Sequence, residues 1–549
     1  MGMIRAVIAA LALAGPAAAA EARFDWFDYR GLDPAPAVGP GQFRNPVLTG
    51  FYPDPSLTRA GDAYYLATST FAYFPGLPVF RSTDLVTWTQ VGNAIDRPGQ
   101  LDFTGLGLSR GVFAPDISFR DGTFYILNTC VDCGGNYLLT AKDAAGPWSD
   151  PIWIREVDGI DPSFFFDEDG RTYLLNNGPP EGTPLYDGHR AIWMQAFDLN
   201  AMRPVGPRKV LVNGGVDISK KPVWIEGPHI YKVDGWYYLS CAEGGTSVDH
   251  SQVVLRSRDV WGPYQPYAGN PILTQRHLPA DRPDPITSAG HADLVQTPTG
   301  EWWATFLATR PYTGDFYNTG RETFLLPVTW KDGWPVMLEG NAEIPKVLAR
   351  PGLPPAGAQR PDAVREEFDG RALGPEWMTL RTPRSVWHRL EGGALRLTAR
   401  PVPLGSLGQP SYFGRRQQHL SASAATRVAF TPARDGDRAG LAALQSEGFF
   451  YLLSVSREGG RPVVKLERRA GDKDPAHGVA LASAPLPRSG PVELKITARG
   501  GRYDFAYAVE PGRYRTLLAD ADGTVLSTKT AGGFVGVTFG LYAYSEETP

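Results

Sequence analysis

Apolar and polar positions alternate in short runs along most of this chain, and turn signals cut each run off within about ten residues. One stretch sets the pattern: Trp224-Ile225-Glu226-Gly227-Pro228-His229-Ile230-Tyr231-Lys232-Val233-Asp234-Gly235-Trp236-Tyr237-Tyr238-Leu239. It reads as a carboxylate at a strand mouth, a strand, a tight turn at Asp234-Gly235 and an aromatic return strand. The unit recurs. Asp54-Pro55-Ser56-Leu57 leads to Ala60-Gly61 and Tyr64-Tyr65-Leu66, and Asp116-Ile117-Ser118-Phe119 leads to Asp121-Gly122 and Phe124-Tyr125-Ile126-Leu127. Asp161-Pro162-Ser163-Phe164 leads to Asp169-Gly170 and Thr172-Tyr173-Leu174, and His291-Ala292-Asp293-Leu294 leads to Thr299-Gly300 and Trp302-Trp303. The five openings lie roughly 45 to 65 residues apart, room for a four-stranded blade and its loops.

Five such units predict a five-bladed β-propeller over residues 37–350. In that architecture the inner strand of each blade starts near the axis, so Asp54, Asp161 and Glu226 converge although they are distant in the chain. As single residues they could equally cap turns. Three acids at similar points of one repeat, each followed by Pro or Gly, weigh against capping alone. Asp84-Leu85-Val86-Thr87-Trp88, Ala144-Ala145-Gly146-Pro147-Trp148 and Asp259-Val260-Trp261 read as outer-blade turns whose tryptophans pack.

Beyond Pro351-Gly352-Leu353-Pro354-Pro355-Ala356-Gly357 the five-fold pattern stops, so 351–361 reads as a linker. Short alternating strands then continue through 362–549, among them Leu395-Arg396-Leu397, Phe449–Val455 and Val492–Thr497, as a jelly-roll or lectin-like β-sandwich requires. The fold class is all-β. The 62 Gly and 49 Pro of the 549 residues suit a turn-rich chain, and a net charge of −4 gives no reason to expect nucleic acid or an anionic membrane as partner. Residues 1–20 have the parts of a signal peptide: Arg5, the apolar run Ala6–Ala14, and alanines up to a cleavage point near Ala20-Glu21. The run is too short to span a bilayer, so the expected location is secreted or periplasmic. Three cysteines, an odd count, argue against a disulfide framework. Cys130-Val131-Asp132-Cys133 lacks the second pair a zinc site needs, leaving buried thiols or one local bridge.

Two carboxylates facing one cavity suit general acid and general base work on a glycosidic bond, and a third raises the acid's pKa by its charge. Phe51, Tyr52, Phe71, Phe74, Phe113 and Trp224 flank these acids. Phe71 and Phe113 read as stacking faces for sugar rings, the other four as packing.

Tyr52-Pro53-Asp54-Pro55-Ser56, Ile160-Asp161-Pro162-Ser163-Phe164-Phe165 and Trp224-Ile225-Glu226-Gly227-Pro228-His229 resemble the signatures of glycoside hydrolase family 43. The resemblance implies a five-bladed propeller enzyme, a β-xylosidase or α-L-arabinofuranosidase acting with inversion. It gives Asp54 as general base, Asp161 as the orienting and pKa-tuning carboxylate, and Glu226 as general acid. His291 resembles a histidine on the propeller axis that in some relatives touches a central ion or its waters. Arg321, in Thr319-Gly320-Arg321-Glu322, resembles an arginine that binds substrate hydroxyls. Phe113-Ala114-Pro115-Asp116 stands where many relatives carry Trp-Ala-Pro, and Asp116 is read as structural. Gly414-Arg415-Arg416-Gln417-Gln418-His419 resembles the accessory domain of family β-xylosidases, which helps close the pocket. The implied activity is removal of terminal xylose from xylo-oligosaccharides or arabinoxylan fragments. No cofactor is required and no metal-ligand set is assigned, though the resemblance allows Ca²⁺ on the axis. A retaining fructosidase would carry Asn-Asp-Pro and Glu-Cys at the mouths, and a catalytically silent glycan-binding propeller would lack one of the acids.

Overall fold

The computed structural model describes residues 20–34, 36–359, 361–487 and 489–546; apart from Ala20, the expected signal peptide lies outside the described residues. Five antiparallel sheets follow one another around an axis. The first is built from Ser56–Ala60, Ala63–Ala67, Gly76–Ser82 and Thr89–Ile95. The second holds Asp116–Arg120, Thr123–Val131, Gly135–Ala141 and Ile152–Trp153, with Gly111–Val112 added beside the second strand. The third runs Ile160–Phe166, Thr172–Gly178, Ala191–Asp198, Arg203–Asn213, and the fourth opens with Glu226–Val233 and Trp236–Glu243. The fifth runs Thr287–Gln296, Trp302–Thr309, Glu322–Lys331, Trp334–Val336. Gln42–Arg44 pairs with Val347–Ala349, so the two ends of the propeller segment are tied.

Two further sheets, of eight and six strands, pack face to face around Phe24, Phe27, Trp377, Leu441, Leu453, Leu494 and Leu541. An inner strand of the larger sheet comes from the far end of the chain. Glu21–Gly31 lies between Leu395–Thr398 and Ser421–Ala429. Its inward residues Ala22 and Phe24, then Phe27 and Tyr29, are separated by a bulge that keeps both pairs facing the core. Local sequence gives no assignment for residues 21–36, because one strand without a neighbouring hairpin carries no local pairing signal.

Propeller and sandwich share one core. Phe71, Ile95 and Val112 of the first pack in the same cluster as Tyr412, Leu444 and Phe450 of the second. Tyr73–Phe74 pairs with Thr379–Leu380 across the junction. The buried Arg381 donates from Nε to Leu106 O (2.5 Å) and from Nη1 to Gly408 O (2.8 Å). The proline-rich linker is itself held: Asp84 accepts from Arg350 Nη1 and from Ala356 N, both at 2.9 Å.

Candidate active site

At the mouths of blades one, three and five the backbone turns left-handed on a side-chain-bearing residue. φ is 54° at Asp54, 54° at Asp161 and 55° at His291. Such a conformation costs about 1–3 kcal/mol each and persists only where the surroundings enforce it. In blades three and five the turn lies in a register shift of the first strand, Ile160/Ser163 and Gly290/Asp293. In blade four the shift is Glu226/His229 and the left-handed residue is Gly227, φ 55°. The repeat therefore aligns Asp54, Asp161, Gly227 and His291, and Glu226 stands one residue earlier. Glycine is needed there: a Cβ on Gly227 would lie 2.8 Å from the His291 ring.

These mouths face one cavity of about 540 Å³, which Asp54, Asp161, Glu226, His291, Arg321, Phe71 and Phe113 all line. Every site residue expected from the sequence is thus in one place. Asp54 accepts from Ser69 Oγ (2.5 Å) on Oδ2 and from Arg321 Nη1 (3.1 Å) on Oδ1. Asp161 Oδ2 accepts from Gly227 N (3.1 Å) and lies 3.5 Å from His291 Nε2. Glu226 differs: its Oε1 is buried and has no hydrogen-bond partner among the described residues.

Burial pushes the Glu226 carboxyl up to about 8, with the charge of Asp161 and then Asp54 adding to the rise and His291 and Arg321 opposing it. For His291, burial favours the neutral ring, but Asp161, Asp54 and Glu226 outweigh it and hold the imidazole up at about 9. At neutral pH the floor therefore holds a protonated carboxyl beside cations that offset the neighbouring acids.

The sandwich contributes Phe534. Its ring stacks on Phe71 (5.8 Å between centroids, 23°), meets Phe113 edge-on (5.6 Å) and lies 5.4 Å from the Arg321 guanidinium. Its backbone N–H donates to Ser109 Oγ at 2.9 Å. Arg416, also from the sandwich, donates to Phe51 O (2.7 Å), beside the Asp54 mouth. Nothing local in the sequence marks Phe534, because its role depends on docking of a separate sheet. Trp224, read as packing, lines the cavity instead with φ 46°, and Arg190 lies over its ring at 4.6 Å.

Asp116 belongs to another layer. Two residues past each mouth stand Ser56, Asp116, Ser163, His229 and Asp293, one per blade. Counting from the mouth, Asp116 matches Ser56, not Asp54; the Pro-Asp wording places it two residues too early. Asp293 accepts from Ser56 Oγ (2.8 Å), Leu57 N (2.8 Å) and Tyr231 OH (2.6 Å), and Asp116 accepts from Phe164 N (3.1 Å). Burial and then Asp293 push Asp116 up to about 8. Asp116, His229 and Asp293 lie close enough to hold an ion, and His291 is outside this group. Calcium takes six to eight oxygens. The cluster offers two carboxylates, already accepting from backbone, serine and tyrosine donors, and one ring nitrogen, so most of a calcium shell there would have to be water.

A propeller funnel with clustered carboxylates, one of them held protonated beside aromatic walls, defines a glycoside hydrolase. The comparisons make this specific. Residues 43–335 match the model for glycosyl hydrolases family 43, and residues 365–549 match that for the beta xylosidase C-terminal concanavalin A-like domain. The chain belongs to glycosyl hydrolase family 43. It is 38% identical over 509 residues to a xylosidase/arabinosidase of Butyrivibrio fibrisolvens, covering 91% of this chain and 95% of that one. It is 37% identical over 510 residues to a non-reducing end alpha-L-arabinofuranosidase of Bacteroides ovatus, covering 91% of each. Among solved structures, a GH43_12 protein from capybara gut metagenome superposes with a TM-score of 0.89 at 38% identity, over 96% of this chain and 100% of that one. A xylan beta-1,4-xylosidase from Bacillus halodurans gives 0.82 at 33% identity, over 91% and 96%.

Proposed function

We propose that the enzyme is an inverting exo-glycosidase that removes terminal xylose from β-1,4-xylo-oligosaccharides. The observation that carries this reading is the buried Glu226 carboxyl, its Oε1 without a hydrogen-bond partner, facing the same cavity as the Asp54–Arg321 ion pair; burial and the charge of Asp161 favour its protonated form. Glu226 gives its proton to the leaving oxygen. Asp54, its second oxygen fixed by Ser69, takes a proton from the water that attacks the opposite face of the sugar. Asp161 keeps Glu226 protonated through its charge and orients His291. Arg321 balances Asp54 and offers its unpaired Nε to a sugar hydroxyl. Phe71, Phe113 and Phe534 wall in one sugar ring, which favours terminal residues over internal cleavage. No step is routed through an axial Ca²⁺.

An arabinofuranosidase of the same mechanism is supported by the Bacteroides ovatus relative, which carries that activity in its name. Export is supported by the Cys130–Cys133 disulfide, a bond that persists in oxidising compartments. Proton NMR during hydrolysis of equimolar aryl β-D-xyloside and aryl α-L-arabinofuranoside decides between the two substrates and tests inversion. Early α-xylose is the expected product. Early β-arabinose changes the substrate and keeps the mechanism, and early products of retained configuration overturn the role of Asp54.

A further inference from the structure

The cavity has a floor and a rim, and the chemistry of the floor leaves the rim without an assignment. Arg321 at the floor is 6% exposed, whereas the Arg110 side chain, which lines the same cavity, is 44% exposed. An exo-enzyme holds the terminal sugar at the closed end, so the rest of the substrate leaves through the open end and passes the rim.

Arg110 is held there by two independent constraints. On one side, Gly111–Val112 is wedged between Phe71 and the strand Thr123–Val131. Val112 bridges Phe71, and Gly111–Val112 pairs with Val131 and Cys130. The wedge is tight: a Cβ on Gly111 (φ 90°) would lie 2.7 Å from Phe71 O. On the other side, the Arg110 Nε donates to Asp132 Oδ2 at 2.6 Å. Asp132 is inside the small ring closed by the Cys130–Cys133 disulfide, with φ 64°. Its neighbour Val131 lines the cavity too. Arg110 also lies over the Phe113 ring, 5.9 Å from its centroid.

We propose that Arg110 is the leaving-group recognition residue, presented by Asp132 and the Cys130–Cys133 ring, and that it binds the vicinal hydroxyls of the sugar next to the scissile bond. This rests on the exo-glycosidase reading above. The chemistry follows from the guanidinium. It has five N–H donors in one plane, and Asp132 accepts the hydrogen bond from Nε–H, leaving the Nη groups to pair with adjacent hydroxyl oxygens. An exposed ion pair contributes little to stability, so the disulfide and Asp132 act by fixing where the fork points. The two are positioning elements and Arg110 is the contact.

The test compares xylobiose with an aryl β-D-xyloside, whose leaving group has no vicinal hydroxyls, in the parent enzyme, Arg110→Ala, Asp132→Asn and Cys133→Ser. Charged-donor hydrogen bonds of this kind correspond to about tenfold to a hundredfold in binding. Arg110→Ala should raise KM for xylobiose by about tenfold or more with a much smaller change in kcat, and the xylobiose-to-aryl selectivity ratio should fall by a similar factor. Asp132→Asn and Cys133→Ser should move the same ratio in the same direction by less, and so should dithiothreitol on the parent. Equal losses on both substrates would overturn the assignment, as would no loss on either. If Cys133→Ser fails to fold, Asp132→Asn keeps the positioning claim open to refutation. A parent enzyme that cleaves neither substrate would instead strike down the exo-glycosidase reading, a different result from an unchanged selectivity ratio.

Discussion

Asp161 never needs to touch the substrate to matter, because its charge is the first of the electrostatic influences on Glu226 after burial itself. The sign is definite. A buried carboxyl favours its neutral form, and a neighbouring anion favours it further, so Glu226 keeps its proton below about 8 and loses it above. The basic limb of kcat/KM on xylobiose is therefore expected near pH 8. Asp161→Asn removes one upward influence, so that limb should move to lower pH, and the rate at neutrality should fall by about tenfold for each unit the limb drops below pH 7. A pH profile of parent and variant checks both; an unmoved limb would mean that Asp161 does not tune the acid. Arg321 acts with the opposite sign, and its removal should shift the limb upward.

At the scale of the element, the recurring device is a strand that enters the funnel through one left-handed residue. Blades one, three and five place Asp54, Asp161 and His291 in that conformation, and blade four uses Gly227 so that Glu226 can project from the position before it. The substitution Gly227→Ala adds a methyl 2.8 Å from the His291 ring at φ 55°. It should cost about 1–3 kcal/mol and lower kcat as His291 and Asp161 are displaced. Gly61, in the blade-one hairpin turn, has φ 63° with nothing within 4 Å of its Cβ position. Gly61→Ala should cost about 1 kcal/mol and leave kcat in place. Thermal unfolding with kinetics on both variants separates backbone strain from the site clash. The hairpin pattern was plain in the sequence. The one-residue offset of Glu226 was not, since Asp-Pro and Glu-Gly-Pro look alike until the bulge register is known.

For the whole molecule, the sandwich is part of the site and the N-terminal strand is part of the sandwich. Phe534→Ala removes the ring that stacks on Phe71 and borders Arg321. It should lower kcat/KM by about tenfold or more, in line with the loss of a precisely placed wall, with the two domains still cofolded in a thermal scan. Removing residues 21–36 takes away an inner strand paired on both sides and buries nothing in its place. The expected result is an insoluble chain or one with a much lower Tm, although the deleted residues lie far in sequence from every catalytic candidate. A soluble, fully active truncated enzyme would contradict this.

The all-β class, the five repeats, the two-part organisation and the three acids follow from alternation, turn residues and short motifs, because each is written in contiguous residues. Local sequence reads Trp224 as packing and gives no sign of Phe534, Arg110 or Ser69, because their roles arise only where separate strands meet. The same holds for the Glu21–Gly31 strand, whose partners stand hundreds of residues away. The sequence could show Asp54, Asp161 and Glu226 as candidates. That burial, shared charge and an unpartnered oxygen set Glu226 apart from the other two was decided by the tertiary structure, since a carboxyl's pKa depends on what surrounds it and not on its neighbours in the chain.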